Sequence, residues 1–399
     1  MGPQARQDAA HGSRALKILL DSRYIRERPS GIGEYVLALA SRVPRLAPDD
    51  RFRLWLHPQA KRPVTSNPNV DEKTVRAGAN SLATTLWAGH LDDLRDVDVF
   101  HATFNVLGRG LRCASVVTMH DLMWLLRPSL CEDVTLLTPF QSLFYRDGIL
   151  RALKKGSMFV AISKATADSM HMLFPELRSR TRVIYHGLQP RFVPGRSAAD
   201  VDASVARLLG KRLRYFLVVG QNSPSKNHRA VLEAFAAADL PPDVHLVLLQ
   251  RLYQFGRFGI RKRPGLLTLA ERLGIHERTH FVGSVTNDDV VELYRGALGL
   301  IQYSRFEGFG MPALEAMACG TPVVTSDIAP LVEVLGGAGL HAGLDPAMLA
   351  QQLSRLARDA GLERELRARG LERARDFSWD RSAALHLEVY REAARLGPR

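Results

Sequence analysis

The sequence predicts an α/β protein of two domains, each a parallel sheet wrapped by helices. Three observations carry that reading. The chain has 399 residues, enough for two domains that each bury a core. Short apolar runs, such as residues 16–20, 115–119 and 215–219, end at turn-forming or polar residues. The unit strand, glycine loop, helix occurs in both halves, as mononucleotide-binding units require.

Composition narrows the class. An apolar fraction of 46% and a charged fraction of 24% are ordinary for a globular domain. Cys113, Cys131 and Cys319 are odd in number and far apart, which argues against a disulfide frame or a zinc site and fits a reducing cytoplasm. The net charge is +13, and only nine of the 54 basic residues are lysine. Basic chains attract polyanions. No zinc-finger, single-strand-binding or helix-turn-helix pattern is present, so no nucleic acid partner is expected. Peripheral contact with the inner, anionic face of a membrane and plain solvated arginines stay equally open. Residues 1–14 read as a disordered polar arm, neither signal peptide nor anchor. No run approaches the ~20 apolar residues that span a bilayer.

In the first half, residues 16–20 form the opening strand and end at Asp21. Residues 30–33 read as a glycine turn before a helix from Glu34 to about Arg42. Only Gly-x-Gly of a dinucleotide fingerprint is present, so a plain turn and a place near substrate phosphate both remain open for Gly31 and Gly33. Strands are expected at 53–57, 97–100, 115–119, 158–162 and 182–185. His101 and the pair His120-Asp121 follow two of them, where ligands of parallel sheets bind. Taken singly, each histidine reads more readily as structural than as a ligand contact. Residues 127–156 are amphipathic with a basic outer face, facing either core or membrane. Ser163 caps a helix over 164–173. Residues 189–211 read as a linker between a domain of residues 15–188 and one of residues 212–376, with a terminal helix in 377–399.

In the second half, the strand 215–219 ends at Gly220, and QNSPSKN turns into a helix over 229–238. Lys226 in that turn suits a diphosphate as a point charge. Residues 251–263 interleave five basic residues with aromatics: a grip for single-stranded nucleic acid or a phosphorylated acceptor, or a solvated loop, which is the default. The strand 298–303 then feeds Glu307, the turn Gly308-Phe309-Gly310-Met311, and Pro312. Pro312 is pre-organised for a helix start, expected over 313–319 with Glu315 in its first turn and Gly320 closing it. Such a turn aims backbone N–H groups and the positive helix end at one spot, which suits phosphate. Ionised carboxylates are acceptor-only and suit hydroxyls. Together they describe a site for a sugar nucleotide.

The block EGFGMPALEAMACGTPVV resembles the Glu–seven residues–Glu signature of the retaining group 1 (family 4) glycosyltransferases. These have the GT-B fold: two Rossmann-like domains facing across a cleft, with a C-terminal helix crossing back to the first domain. The resemblance extends, more thinly, over residues 16–390. It implies a metal-independent hexosyltransferase that moves a mannose- or glucose-type sugar from a nucleotide diphosphate donor, with retention, to a glycan or lipid-linked acceptor in bacterial cell-surface polysaccharide synthesis. It implies catalytic roles for His120, Glu307 and Lys226, and donor binding by Gly31, Gly33, Gly308, Phe309, Gly310, Met311 and Glu315. VVTMHDLMWLLRP is similar to the acceptor-domain segment whose histidine contacts the transferring sugar, which favours His120 over His101. The arginine usual near the lysine is missing; Gln221 and Ser225 stand there, and Arg305 is a candidate replacement. No cofactor and no metal are expected beyond the donor itself. The alternatives are a sugar-nucleotide epimerase or glycosyl phosphorylase on the same fold, or a non-catalytic polyanion-binding protein.

Overall fold

The computed structural model describes residues 14–27, 31–131, 138–195, 197–250, 265–283 and 285–399. The arm before residue 14, Ser30 and the basic stretch 251–263 lie outside the described residues. The first sheet contains β1 (Lys17–Asp21), β2 (Arg51–Leu56), β3 (Val70–Thr74), β4 (Val99–Ala102), β5 (Ala114–Met119), β6 (Met158–Ala161) and β7 (Thr181–Val183). Its order is β3-β2-β1-β4-β5-β6-β7, with every described pair parallel. The second contains β8 (Arg214–Val219), β9 (Val244–Leu249), β10 (Thr279–Val282), β11 (Gly299–Gln302), β12 (Val323–Ser326) and β13 (Leu340–Ala342). Its order is β10-β9-β8-β11-β12-β13, again parallel. Strands β4, β5, β6, β11 and β12 are buried along their whole length, as expected for parallel strands covered on both faces. Strand order reverses between β1 and β4 and between β8 and β11. Connections diverge there and leave a crevice at the carboxyl ends of the strands.

Two expectations are corrected. The helix after β1 runs Gly31–Leu46, so Gly31 and Gly33 form its first turn rather than a loop ahead of it. The expected linker holds a helix, Ala198–Leu209, started by the Ser197 side chain accepting from Asp200 N. Its Val201 and Val205, four residues apart, pack into the second domain's core with Tyr215 and Leu293.

The C-terminal helix, Trp379–Leu396, is capped by Ser378 Oγ and packs on the first domain. Its Ala383, Leu387, Val389, Tyr390 and Ala393 join the core that holds Tyr35, Val36, Val116 and Met158. A buried chain of hydrogen bonds runs through this interface. His386 Nδ1 lies 2.7 Å from the Ser382 carbonyl and must donate to it, so Nε2 accepts from the Tyr35 hydroxyl at 2.8 Å. Tyr35 then accepts from Thr118 Oγ1 at 2.7 Å, and Thr118 accepts from His101 Nε2 at 2.8 Å. His101 Nδ1 accepts from the Tyr390 hydroxyl at 2.7 Å. His101 therefore lies inside β4, paired with Leu20 and Val116, and works as structure.

Burial holds His101 and His186 well below the usual imidazole range and pushes His120 and His386 down to about 4. The unfolded chain takes up protons on these residues near pH 6.5, whereas the folded chain does so only near pH 4 or below. Unfolding free energy is therefore full above about pH 6.5 and falls as pH drops towards 4. Urea titrations at pH 7.5 and 5 check this, and equal midpoints would contradict it.

Candidate active site

The site is assembled where strand order reverses in the second sheet. After β8, Gly220 takes φ +143°, and the turn Pro224–Lys226 leads through Asn227, at φ 55°, into the helix His228–Ala237. Asparagine tolerates that left-handed conformation well. After β11 comes Glu307. The neighbouring loops are tied together by Arg305 N donating to the Ser225 carbonyl at 2.7 Å.

One oxygen, Glu307 Oε1, accepts from three side chains: Lys226 Nζ at 2.6 Å, Ser304 Oγ at 2.6 Å and Gln302 Nε2 at 2.9 Å. Burial pushes the Glu307 carboxyl up, but the Lys226 charge and these hydrogen bonds outweigh it and hold the group below its usual range. Gln302 uses its own oxygen to accept from Ala313 N at 2.9 Å. It thereby links the carboxylate to the start of the following helix. Sequence reasoning missed this residue, since a glutamine closing a strand carries no pattern of its own.

That helix spans Met311–Ala318, two residues earlier than expected, with Pro312 in its first turn and Gly310 ahead of it at φ +121°. Glu315 consequently sits in the second turn, away from the helix end. Its Oε2 accepts from the Tyr294 hydroxyl at 2.9 Å. Burial pushes Glu315 up to about 7; Tyr294 and Arg191 pull it down, and Glu34 raises it further. Glu34 binds Arg191 at 3.1 Å and Gln189 Nε2 at 2.8 Å. The structure thus brings Glu315 beside Arg191 and the helix start that carries Gly31 and Gly33. Arg191 is a second residue missed from the sequence. The Phe309 ring packs on Tyr185, His186 and Phe377, so only its backbone can serve a ligand.

The opposite wall is the end of β5. A Cβ on Gly308 would meet the His120 carbonyl oxygen at 1.8 Å and Asp121 Cβ at 3.3 Å, so this loop of the second domain touches the first through a glycine. Ser163 Oγ donates to the Gly308 carbonyl at 2.7 Å. Glu333 of the second domain accepts from Lys164 N at 2.6 Å and Ala165 N at 3.0 Å, capping a first-domain helix, Lys164–Leu173. His120 Nε2 donates to the Thr103 carbonyl at 2.9 Å, and burial keeps the ring neutral. Its Nδ1 is then an acceptor. A cleft of about 570 Å³ separates the two walls; its lining includes Asp121, Arg127, Asp168, Arg305, Phe306 and Glu307.

Two Asp-x-Asp triplets, a spacing that can hold a metal, are present away from this cleft. Asp96 and Asp98 stand at the entry of β4, where Asp98 accepts from Lys17 N at 2.8 Å and Asp96 pairs with Lys17 at 3.2 Å. Asp202 of the other triplet, Asp200-Val201-Asp202, pairs with Arg212.

Residues 204–376 match the family of group 1 glycosyl transferases. That match lies in the second half of the chain and covers less than half of it. The chain is 34% identical over 261 residues to a D-inositol 3-phosphate glycosyltransferase of Salinispora arenicola, covering 62% of this chain and 58% of that protein. It spans 52% of the corresponding Salinispora tropica protein, so little more than half of either relative is matched. It is 26% identical over 400 residues to the O-antigen chain mannosyltransferase B of Escherichia coli, covering 94% of this chain and all of that one. Among solved structures, WaaG, a glycosyltransferase involved in lipopolysaccharide biosynthesis, superposes with a TM-score of 0.71 at 16% identity over 94% of this chain and 99% of its own. That likeness shows the fold, two Rossmann-like domains in the GT-B arrangement.

Gly308→Ala should force the domains apart at His120. We expect catalytic turnover to fall at least tenfold while each domain stays folded, read by steady-state rates with circular dichroism as the control.

Proposed function

We propose that this chain transfers a hexose from a nucleotide diphosphate sugar to a hydroxyl of a glycan or lipid-linked acceptor, with retention at the anomeric carbon. The observation that carries the reading is the Lys226–Glu307 pair at the strand-order reversal, whose glutamate lines a cleft walled by both domains. A donor diphosphate would take Lys226 and the amides of Gly308–Met311, and lost donors of this kind typically cost ~3–4 kcal/mol of transition-state stabilisation. Glu307, freed from the lysine, would accept from sugar hydroxyls. Glu315 would accept from the ribose, with Arg191 and Arg305 as further cationic groups. Neutral His120 would accept a sugar hydroxyl at Nδ1. Both glutamates come from one loop–helix element instead of flanking a scissile bond, which supports binding roles over nucleophilic attack.

The relative named as an O-antigen mannosyltransferase supports mannose as the sugar and a surface polysaccharide as the product. A cytoplasmic site with peripheral membrane contact belongs to the same proposal. Among the described residues no helix is long and apolar enough to cross a membrane.

The test is a screen of UDP-, GDP- and ADP-hexoses by thermal shift, followed by product analysis. Nucleoside diphosphate release that depends on an acceptor supports transfer; acceptor-independent epimerisation, or phosphorolysis, would replace it. Turnover should persist in EDTA, and complete loss restored by magnesium or manganese would contradict the metal-independent reading. Lys226→Ala should lower both turnover and diphosphate affinity. Because Glu315 is pushed up to about 7, donor affinity should rise as pH increases through that value and the carboxylate ionises. Glu315→Gln should weaken binding ~10-fold at pH 8 and flatten the profile, measured by calorimetric titration.

A further inference from the structure

We infer that the first domain carries a second ligand site, at the end of its sheet away from the cleft, for a phosphorylated polyol such as a hexose phosphate. A cavity of about 470 Å³ lies there, and its lining includes Arg14, Asp50, Asp98, Arg112, Arg391 and Arg395. Strand β5 starts in this lining at Ala114 and ends at Met119, next to His120 on the cleft wall. The two sites therefore lie at opposite ends of the same strands.

The terminal helix Trp379–Leu396 supplies two of the arginines. Arg391 and Arg395 are one helical turn apart and exposed, while Tyr390 and Ala393 of the same helix are buried in the core. Arg112 joins them from just before β5. Among the described residues Arg112, Arg391 and Arg395 have no hydrogen bond or ion pair. Like charges at this helical spacing repel each other, and a shared anion offsets the repulsion. Arg14 instead pairs with Asp98 at 3.4 Å, and Asp98 also accepts from Lys17 N at 2.8 Å.

Asp50 supplies the second half of the site. It is only 6% exposed. Its Oδ1 accepts from Leu16 N at 2.8 Å, which fixes the carboxylate at the entry of β1. Its Oδ2 is buried and has no hydrogen-bond partner among the described residues. Such an oxygen is costly to bury, and as an acceptor-only group it requires a donor. A ligand hydroxyl supplies one. The guanidinium groups suit a phosphate, whose oxygens accept several charge-assisted bonds at once. Inorganic phosphate answers the first half of this arrangement and a neutral sugar the second; a phosphorylated polyol answers both. The cavity is of ordinary size for a small-molecule site. A soluble hexose phosphate and the glycerol phosphate headgroup of phosphatidylglycerol offer the same chemistry.

On the alternative account the arginines are merely solvated, with Arg395 offsetting the dipole in the last turn of its helix, and a water meets Oδ2. Calorimetric titration of the full chain with mannose 6-phosphate, glycerol 3-phosphate and inorganic phosphate separates the two. We expect saturable binding, tighter for the esters than for inorganic phosphate and unchanged in Lys226→Ala, which sets it apart from binding in the cleft. Arg391→Ala combined with Arg395→Ala should weaken every probe roughly tenfold or more. Asp50→Asn keeps an acceptor for Leu16 N and should reduce the preference for the esters without weakening inorganic phosphate. The arginine variant carries the test alone if the asparagine variant misfolds. Flotation with phosphatidylglycerol vesicles, with phosphatidylcholine as control, separates the sources: capture lost in both variants, without binding of the soluble esters, assigns the headgroup. The inference is overturned if no probe binds, if the arginine variant binds as wild type does, or if Lys226→Ala abolishes binding. Vesicle capture that a folded Asp50→Asn leaves intact, with no ester bound, would overturn it as well.

Discussion

The ion pair between Lys226 and Glu307 is the interaction on which the cleft depends. It joins the turn after β8 to the loop after β11, two strands that are neighbours in space and about eighty residues apart in sequence. Breaking a largely buried pair by removing one partner is costly, because a charge is left without compensation. An incoming anion is the natural replacement partner for the lysine. Ser304 and Gln302 give the glutamate two further hydrogen bonds that do not involve the lysine, so its carboxylate is aimed independently of that partner. Gln302 also ties it to the helix that begins at Met311. Position and charge are therefore set before any ligand arrives, which is the condition for effective electrostatic stabilisation.

The second constraint is the fit between domains. The glycine at 308 allows backbone of one domain to rest on the His120 carbonyl of the other. The Glu333 carboxylate, supplied by the second domain, satisfies two amides at the start of a first-domain helix. The terminal helix adds a third link, through a one-way chain of hydrogen bonds from Tyr390 to the Ser382 carbonyl. These contacts hold Asp121 and His120 opposite Glu307, so the geometry of the cleft is a property of both domains together.

Much of this was legible in the sequence, because parallel strands leave continuous apolar runs and their carboxyl ends collect functional residues. Lys226, Glu307 and the Gly308–Met311 turn stand out on those grounds. Gly31 and Gly33 were misread as a loop because glycine is a strong turn signal, yet here both are helical. The helix at Ala198–Leu209 was hidden behind nearby proline and glycine, although Val201 and Val205 lie at helical spacing. Gln302, Arg191 and Glu333 were not legible. Their roles come from contacts with residues distant in sequence, such as the 169 positions between Lys164 and Glu333. No local pattern records such a contact.

We propose that Glu307 holds Lys226 in place for a diphosphate. A crystal structure of the full chain soaked with a nucleoside diphosphate tests it most directly. Lys226 Nζ should then stand at hydrogen-bond distance from a phosphate oxygen, with Glu307 still bound by Gln302 and Ser304. A diphosphate bound elsewhere, with the 2.6 Å Lys226–Glu307 contact intact, would contradict it.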